Sequence, residues 1–435
     1  MEKEKQLGLK KVLIISYYWP PAGGPGVQRW LKFINHLPKF GIEPIVYIPE
    51  NPSYPIIDKK LITEVPIGIT ILKQPIFEPY SLASKIGGKS SEKISSGIIP
   101  TESKQTAIQK LMLWVRGNMF IPDARKYWVK PSITFLTKVV KEQKIDTIIT
   151  TGPPHSMHLI GLGLKQQLSI NWVVDFRDPW TSIGYHKKLK LTKRAAKKHI
   201  DLENKVLNNA DQIIVTSKGT FNEFSNKTSK PINVITNGFE PKANVKETAL
   251  DKKFSLAHIG SLLSERNPII LWEVLNELIK EEETFAANFE LKLAGVVSEV
   301  VMNSILENGL KEYVNNLGYV SHEEAQQLQR QSQVLLLIEI NSKETQMIIP
   351  GKLFEYLESG RPIVSLGPLK ADFATIINET ETGAFFTYDQ KEALKKQIKE
   401  YYNLYLEKKL KTCPKGIEKY TRENLTKQLA VVLNK

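Results

Sequence analysis

Short unbroken apolar runs alternate along the chain with longer stretches whose apolar positions return at helical spacing. Residues 11–16 are such a run, apolar without interruption from Val12 to Ile15, as expected of a parallel strand covered on both faces. A loop rich in proline and glycine follows, then a predicted helix at about 27–40 and a strand at 44–48, which makes a βαβ unit. Further strands are predicted at 147–150, 172–175 and 212–215. Residues 81–106, rich in Ser, Gly, Lys and Ile, read as an excursion with weak structure. The alternation restarts with strand 254–259, helix 268–283, strand 289–294, helix 299–308 and strand 314–320. A short helix from His322, strand 334–338 and a closing helix at 391–406 complete it. Two strand–helix series predict an α/β chain of two doubly wound domains, parted near Asn237-Gly238, where Asn-Gly marks a turn. The predicted domains are residues 1–238 and 239–405, followed by a basic tail at 406–435.

In open α/β sheets ligands bind beyond the carboxyl ends of the strands, and the informative motifs fall at such ends. In Pro350-Gly351-Lys352-Leu353-Phe354-Glu355-Tyr356-Leu357, Pro350 and Gly351 break the chain before a short helix. Gly360 and Pro362 end that helix before strand 363–366. The helix start at Gly351 offers unpaired N–H groups to a phosphate, and Lys352 adds a point charge. Glu355, in the first turn, can accept both hydroxyls of a ribose or serve as an ordinary acidic first-turn residue. Gly260-Ser261-Leu262-Leu263-Ser264-Glu265-Arg266 follows a predicted strand and carries a guanidinium suited to bidentate phosphate contact.

Three further motifs lie in the first half. In residues 17–26 the glycines Gly23, Gly24 and Gly26 stand too far past the strand for a dinucleotide fingerprint, which disfavours a nicotinamide dehydrogenase. They still permit close backbone approach to a ligand at a helix start. His155 follows a predicted strand end in a loop of small residues and prolines, where its side chain can point into a cleft or be a satisfied structural residue. Asp175-Phe176-Arg177-Asp178-Pro179-Trp180 is either a salt-bridged turn or a site in which Asp178 or Asp175 orients a hydroxyl and Arg177 fixes a carboxylate.

In order and spacing these motifs resemble the bacterial family 4 (group 1) retaining glycosyltransferases, most closely over residues 11–50, 114–180 and 254–370. The resemblance implies the GT-B architecture, two facing Rossmann-like domains with a cleft between them. The first would bind the acceptor, the second the nucleotide sugar, and the C-terminal tail would cross back to the first. Glu355 matches the second glutamate of the family's paired motif, which clasps the ribose; the first falls at Met347, and Glu344 is near but out of register. By the same resemblance Gly23 and Gly24 lie under the donor diphosphate, Gly260 leads the loop that brings Arg266 to it, and the backbone at Val320 contacts the base. Asn267 stands where a second cation is common, which leaves more of the charge to Lys352. His155 would reach the donor sugar, with Asp178 as its catalytic companion. Asp123 and Arg125, with Asp175 and Arg177, resemble acceptor-side sequence. The family implies a nucleoside-diphosphate sugar as donor, a glycan or lipid-linked acceptor, retention of configuration, and no obligatory cofactor or metal. Met347 keeps open a non-catalytic, membrane-associated carbohydrate-binding protein, and a nucleotide-sugar epimerase on the same scaffold is the other alternative.

Composition adds limits. A chain of 435 residues suits two domains, and 41% hydrophobic with 24% charged residues is ordinary for a globular protein. One cysteine, Cys413, leaves no disulfide framework or thiol cluster, and none of the seven histidines pair at His-x-x-x-His spacing, so no structural zinc is expected. The charged start and the lack of an apolar run of roughly 20 residues predict a cytoplasmic protein without signal peptide or membrane span. The formal charge is +14, and residues 187–198 hold seven basic side chains and no acidic one. At helical spacing Leu191, Ala195, Leu202 and Val206 form a stripe apart from Lys187, Lys190, Arg194 and Lys197. The basic face is either simply solvated or drawn to anionic lipid or an anionic acceptor. No nucleic-acid-binding signature accompanies it.

Overall fold

Every predicted apolar run becomes a parallel strand in the computed structural model, which describes residues 9–78, 107–241 and 248–435. The excursion expected at 81–106 lies outside them. The chain divides into two units, residues 1–236 with 422–435 and residues 237–421.

Unit 1 is built on a seven-stranded sheet, ordered β3-β2-β1-β4-β5-β6-β7. The strands are β1 (Lys10–Ile15), β2 (Ile42–Pro49), β3 (Thr70–Gln74), β4 (Thr147–Gly152), β5 (Asn171–Phe176), β6 (Gln212–Val215) and β7 (Ile232–Val234). All pairings are parallel. Its longer helices are α1 (Pro25–His36), α2 (Ala107–Met119), α3 (Lys126–Glu142), α4 (Ser156–Gln167), α5 (Lys193–Asn209) and α6 (Lys218–Ser225). Successive side chains of a strand face opposite ways, so β1 supplies two cores. Leu13 and Ile15 pack with Trp128, Trp172 and Phe176, while Val12 and Ile14 pack with Trp30, Leu31 and Ile34. The predicted helix at 27–40 stops being α at His36. Pro38 has no N–H and crowds the preceding turn, so Leu37–Phe40 tighten into a 3₁₀ turn closed by Gly41 at φ 76°.

Unit 2 carries a six-stranded parallel sheet, β10-β9-β8-β11-β12-β13. It comprises β8 (Phe254–Ile259), β9 (Phe289–Ala294), β10 (Val314–Gly318), β11 (Val334–Ile338), β12 (Ile363–Leu366) and β13 (Gly383–Phe386). The longer intervening helices are α7 (Ile269–Glu281), α8 (Glu299–Glu307), α9 (His322–Gln331), α10 (Lys352–Ser359), α11 (Asp372–Thr380) and α12 (Lys391–Leu406). The strand expected at 314–320 ends at Gly318, whose φ of 63° turns the chain out of the sheet after a register shift. A reciprocal capping box between Ser321 and Glu324 then starts α9. Sequence patterning gave no element to 372–386. There α11 begins without a side-chain cap, and β13 is a four-residue edge strand beside β12.

The last helix, α13 (Arg422–Leu433), belongs to unit 1. Leu425, Leu429 and Leu433 join the Trp30 and Ile34 core, Lys10 Nζ donates to the Leu433 carbonyl at 2.6 Å, and Lys39 pairs with Glu423. Residues 406–421 stay with unit 2.

Candidate functional site

In unit 2 the candidate residues converge at the carboxyl ends of β8 and β11. Beyond β8, Gly260 adopts φ 123°, and a Cβ there would sit 2.7 Å from Lys352 Nζ, so the loop is open to the lysine only because it is glycine. Lys352 opens α10, which Tyr356 fastens to β8 by accepting from the Ile259 amide at 3.1 Å. Lys352 Nζ lies 3.3 Å from His258 Nε2, and His258 Nδ1 lies 3.1 Å from the Leu336 carbonyl. A carbonyl only accepts, so Nδ1 carries the proton and Nε2 takes the ammonium's hydrogen bond. Burial, reinforced by the Lys352 charge, holds the His258 pKa well below its usual value and keeps the ring neutral. Burial and the nearby Arg266 charge bring Lys352 itself down to about 8, against the opposing pull of Glu339 and Glu355.

Arg266 is pinned rather than loose. Its Nε and Nη2 donate to the two oxygens of Glu339 at 3.1 and 3.3 Å, and the buried Glu339 also accepts from the Ile340 amide at 2.8 Å. Sequence reading missed Glu339 and His258. Each looks like a polar residue interrupting or ending an apolar strand run, and only the crossing of β8, β11 and α10 turns both toward Lys352. Glu355 is half-buried and accepts from Gln329 of α9 at 2.9 Å. Gly351 is already in helical conformation and α10 starts with no side-chain cap; the Leu353 and Phe354 amides donate to the Pro350 and Gly351 carbonyls at 3.0 and 3.3 Å. The turn after β10 leaves Val320 half-buried against the core beneath α10, and Gly295 donates to the Gly318 carbonyl.

Unit 1 assembles the other candidates. Gly24, at φ 105°, is the N-cap of α1, and Gly23 lies so close to Ile56 that a Cβ would meet its side chain at 2.9 Å. Two residues on, a Cβ at Gly26 would collide with the Arg177 guanidinium, so the loop after β1 and the turn after β5 are packed together. Arg177 also donates to the carbonyls of Gly152 and Pro153 in the loop carrying His155. The β1, β4 and β5 motifs therefore form one surface through Arg177.

Asp175 takes no part in that surface. Expected on the acceptor side, it is fully buried: Oδ1 accepts from Arg29 at 2.9 Å, and Oδ2 from Trp30 Nε1 and Thr151 at 2.8 Å. With both oxygens engaged it ties α1 to the sheet, and the Arg29 charge and these hydrogen bonds prevail over burial to hold its pKa below the usual range. Asp123 spends its carboxylate on the start of α4, accepting from the Ser156 amide and hydroxyl at 2.9 and 2.8 Å. Arg125 lies 3.1 Å from Glu78, donates to the Tyr17 hydroxyl at 3.1 Å and rests over the Tyr17 ring.

Asp178 and His155 differ. Among the described residues no hydrogen-bond partner is found for Asp178, and burial raises its pKa against the pull of Arg177. His155 stacks face to face on Trp180 at 4.7 Å, and both its ring nitrogens are buried without a partner. Burial and the neighbouring His158 and Arg177 keep it neutral. A partly buried carboxyl of raised pKa is a group that can accept or return a proton, whereas the buried His155 ring is held in its neutral form. No cluster among the described residues could hold a metal ion, and no helix among them is long and apolar enough to cross a membrane.

Residues 253–403 match the family model described as Glycosyl transferases group 1. HepE from Anabaena, solved with UDP-glucose, superposes with a TM-score of 0.58 at 14% identity, covering 98% of this chain and 99% of that one. WaaG, a glycosyltransferase involved in lipopolysaccharide biosynthesis, gives 0.53 at 11% identity over 97% and 99%. The UDP-GlcNAc 2-epimerase of Methanocaldococcus jannaschii gives 0.51 at 11% over 98% and 99%. The fold is thus GT-B, with two Rossmann-like domains. No curated protein matches the sequence.

Proposed function

We propose that the protein is a glycosyltransferase that moves a sugar from a nucleoside-diphosphate donor to a glycan or lipid-linked acceptor, with retention, in the making of a bacterial surface polysaccharide. The observation that carries this reading is the convergence of Arg266, Lys352 and the uncapped start of α10 at the open Gly260 loop, inside the segment that matches the family model. In transfer the bond from the anomeric carbon to the diphosphate oxygen breaks, one to the acceptor oxygen forms, and the acceptor hydroxyl's proton passes to the departing diphosphate or to a neighbouring carboxylate. Negative charge therefore grows on the departing diphosphate, and cations already in place stabilise it without reorganising. Glu355 accepts from the ribose, and the backbone at Val320 meets the base. In unit 1, Gly23 and Gly24 allow a ligand to approach, Asp178 is the carboxyl for an acceptor hydroxyl, and the buried, unpartnered ring nitrogens of His155 are the polar atoms nearest to hand for the donor sugar once the site opens.

The test is a thermal-shift screen against UDP, GDP, ADP and CMP with and without magnesium, followed by donor hydrolysis and transfer assays. A shift with one nucleoside diphosphate is expected. Arg266→Ala should weaken diphosphate binding more than nucleoside binding. No response to any of the four by a folded protein would refute the reading. Epimerases share the fold at comparable similarity, and activity on the nucleotide sugar with no acceptor added would favour that chemistry instead.

A further inference from the structure

Helix α9 is mostly polar and buries one residue, Gln329, which is 2% exposed. Its neighbours Ala325 and Leu328 are half-buried against the core that Leu353, Phe354 and Leu357 of α10 fill. Packing alone would favour an apolar side chain at 329, because a buried amide costs free energy unless it is hydrogen-bonded. The partner is Glu355 of α10, at 2.9 Å. A carboxylate only accepts, so the amide nitrogen of Gln329 faces it and holds Oε2.

The rest of Glu355 is left open. Among the described residues its Oε1 meets no hydrogen-bond donor, and no ion pair takes its charge. Arg330, the next residue of α9, pairs with Glu358 at 3.7 Å, and Lys352 turns its ammonium to His258. A neutral donor therefore fixes the direction of the carboxylate and leaves its charge for other donors, where a lysine or arginine at 329 would have spent it. Hydroxyls are such donors, and their bonds to a carboxylate are among the stronger ones. Sequence reading could not find this pairing, since glutamines are ordinary on a polar helix and the partners lie 26 residues apart.

We propose that Gln329 is a positioning residue that aims Glu355 at a ribose diol, and so sets the preference for ribonucleotides over ligands that lack those hydroxyls. This rests on the donor reading above, in which Glu355 accepts from the ribose. Held by Gln329, the carboxylate meets the ribose without first losing side-chain freedom; released, it must lose that freedom on binding. The difference corresponds to about threefold in affinity and falls only on ligands that carry the hydroxyls. Burial fixes Gln329 in turn, because the packing of α9 on α10 leaves its amide no water to turn to.

The test is isothermal titration of the full chain with UDP, GDP and ADP, each beside its 2′,3′-dideoxy counterpart. Wild type is compared with Gln329→Met and Gln329→Glu, which nearly keep the volume of the side chain and remove its donor. Wild type should prefer the ribonucleotide it binds by about tenfold. Both variants should bind the dideoxy ligand as wild type does and prefer the ribonucleotide by about threefold or less. A tie between helices with no further duty would lower the melting temperature and leave that ratio where it was. A full preference kept by the variants would therefore overturn the proposal and leave the ribose role of Glu355 standing. A wild type that binds a nucleotide without preference would overturn the proposal together with that role, and one that binds none of the three would overturn it together with the donor reading. Failure of both variants to fold would make Gln329 a residue of the core, with the same consequence for the proposal.

Discussion

Lys352 makes the affinity for a nucleoside diphosphate depend on pH in a calculable way. Burial and the Arg266 charge bring its pKa to about 8. The ammonium fraction is then about 0.9 at pH 7 and about 0.1 at pH 9, and an affinity that requires the charged form falls by that ratio. The dissociation constant should rise about tenfold over those two pH units, equivalent to about 1.4 kcal/mol. The ceiling is the worth of one charge-assisted hydrogen bond, about 1.5–3 kcal/mol, so the loss is not exhausted at pH 9. The sign follows from the depressed pKa of a cation: binding is complete below about 8 and is lost as pH rises through it. Isothermal titration from pH 6.5 to 9 with a nucleoside diphosphate, and with its nucleoside as control, measures it. The nucleoside curve should be flat, and Lys352→Met should flatten the diphosphate curve while lowering its pH 7 affinity about tenfold or more. A flat wild-type diphosphate curve, or an equal slope for the nucleoside, would refute the argument that Lys352 carries the phosphate charge.

Four other outcomes are expected. Glu339→Gln keeps the shape of the Arg266 contact but removes a charge that raises Lys352, so the midpoint of that pH profile should move below 8; an unmoved midpoint would exclude the coupling. Glu355→Ala should weaken nucleoside and nucleoside diphosphate alike by about tenfold, and a 2′,3′-dideoxy ligand should bind both proteins equally. Asp175→Asn breaks a fully buried ion pair with Arg29 and should cost about 3–5 kcal/mol of unfolding free energy, visible by calorimetry with the nucleotide-induced shift retained. Burial holds His158 down to about 3 and His186 down to about 4, and keeps His155 and His199 below their ordinary value. Because the unfolded chain binds more protons below about pH 6.5, stability should fall with acidification there, by up to about 1.4 kcal/mol per pH unit for each of His158 and His186, with His155 and His199 acting in the same direction. A melting temperature unchanged between pH 7 and pH 5 would contradict it.

Much of unit 2 was legible because parallel strands buried on both faces write themselves as unbroken apolar runs, as at Phe254–Ile259 and Val334–Ile338. The turn at Gly351, the helix behind it and Gly360 at its end were legible for the same local reason: proline and glycine fix backbone conformation wherever they stand. Asp175 stayed open between a salt-bridged residue and a ligand contact because a carboxylate at a strand end reads the same whether it faces a ligand or Arg29, which lies 146 residues away in sequence. Glu339 and His258 were invisible for the complementary reason, since neither has a motif and each acquires meaning only from its partner. Sequence by itself determined the alternation of strands and helices, the α/β class and the places where proline and glycine turn the chain at strand and helix ends, since these follow from local sterics and burial periodicity. Tertiary structure alone decided which charges meet and which carboxylates are already spent. Those depend on contacts between residues far apart in the chain, and no local pattern records them.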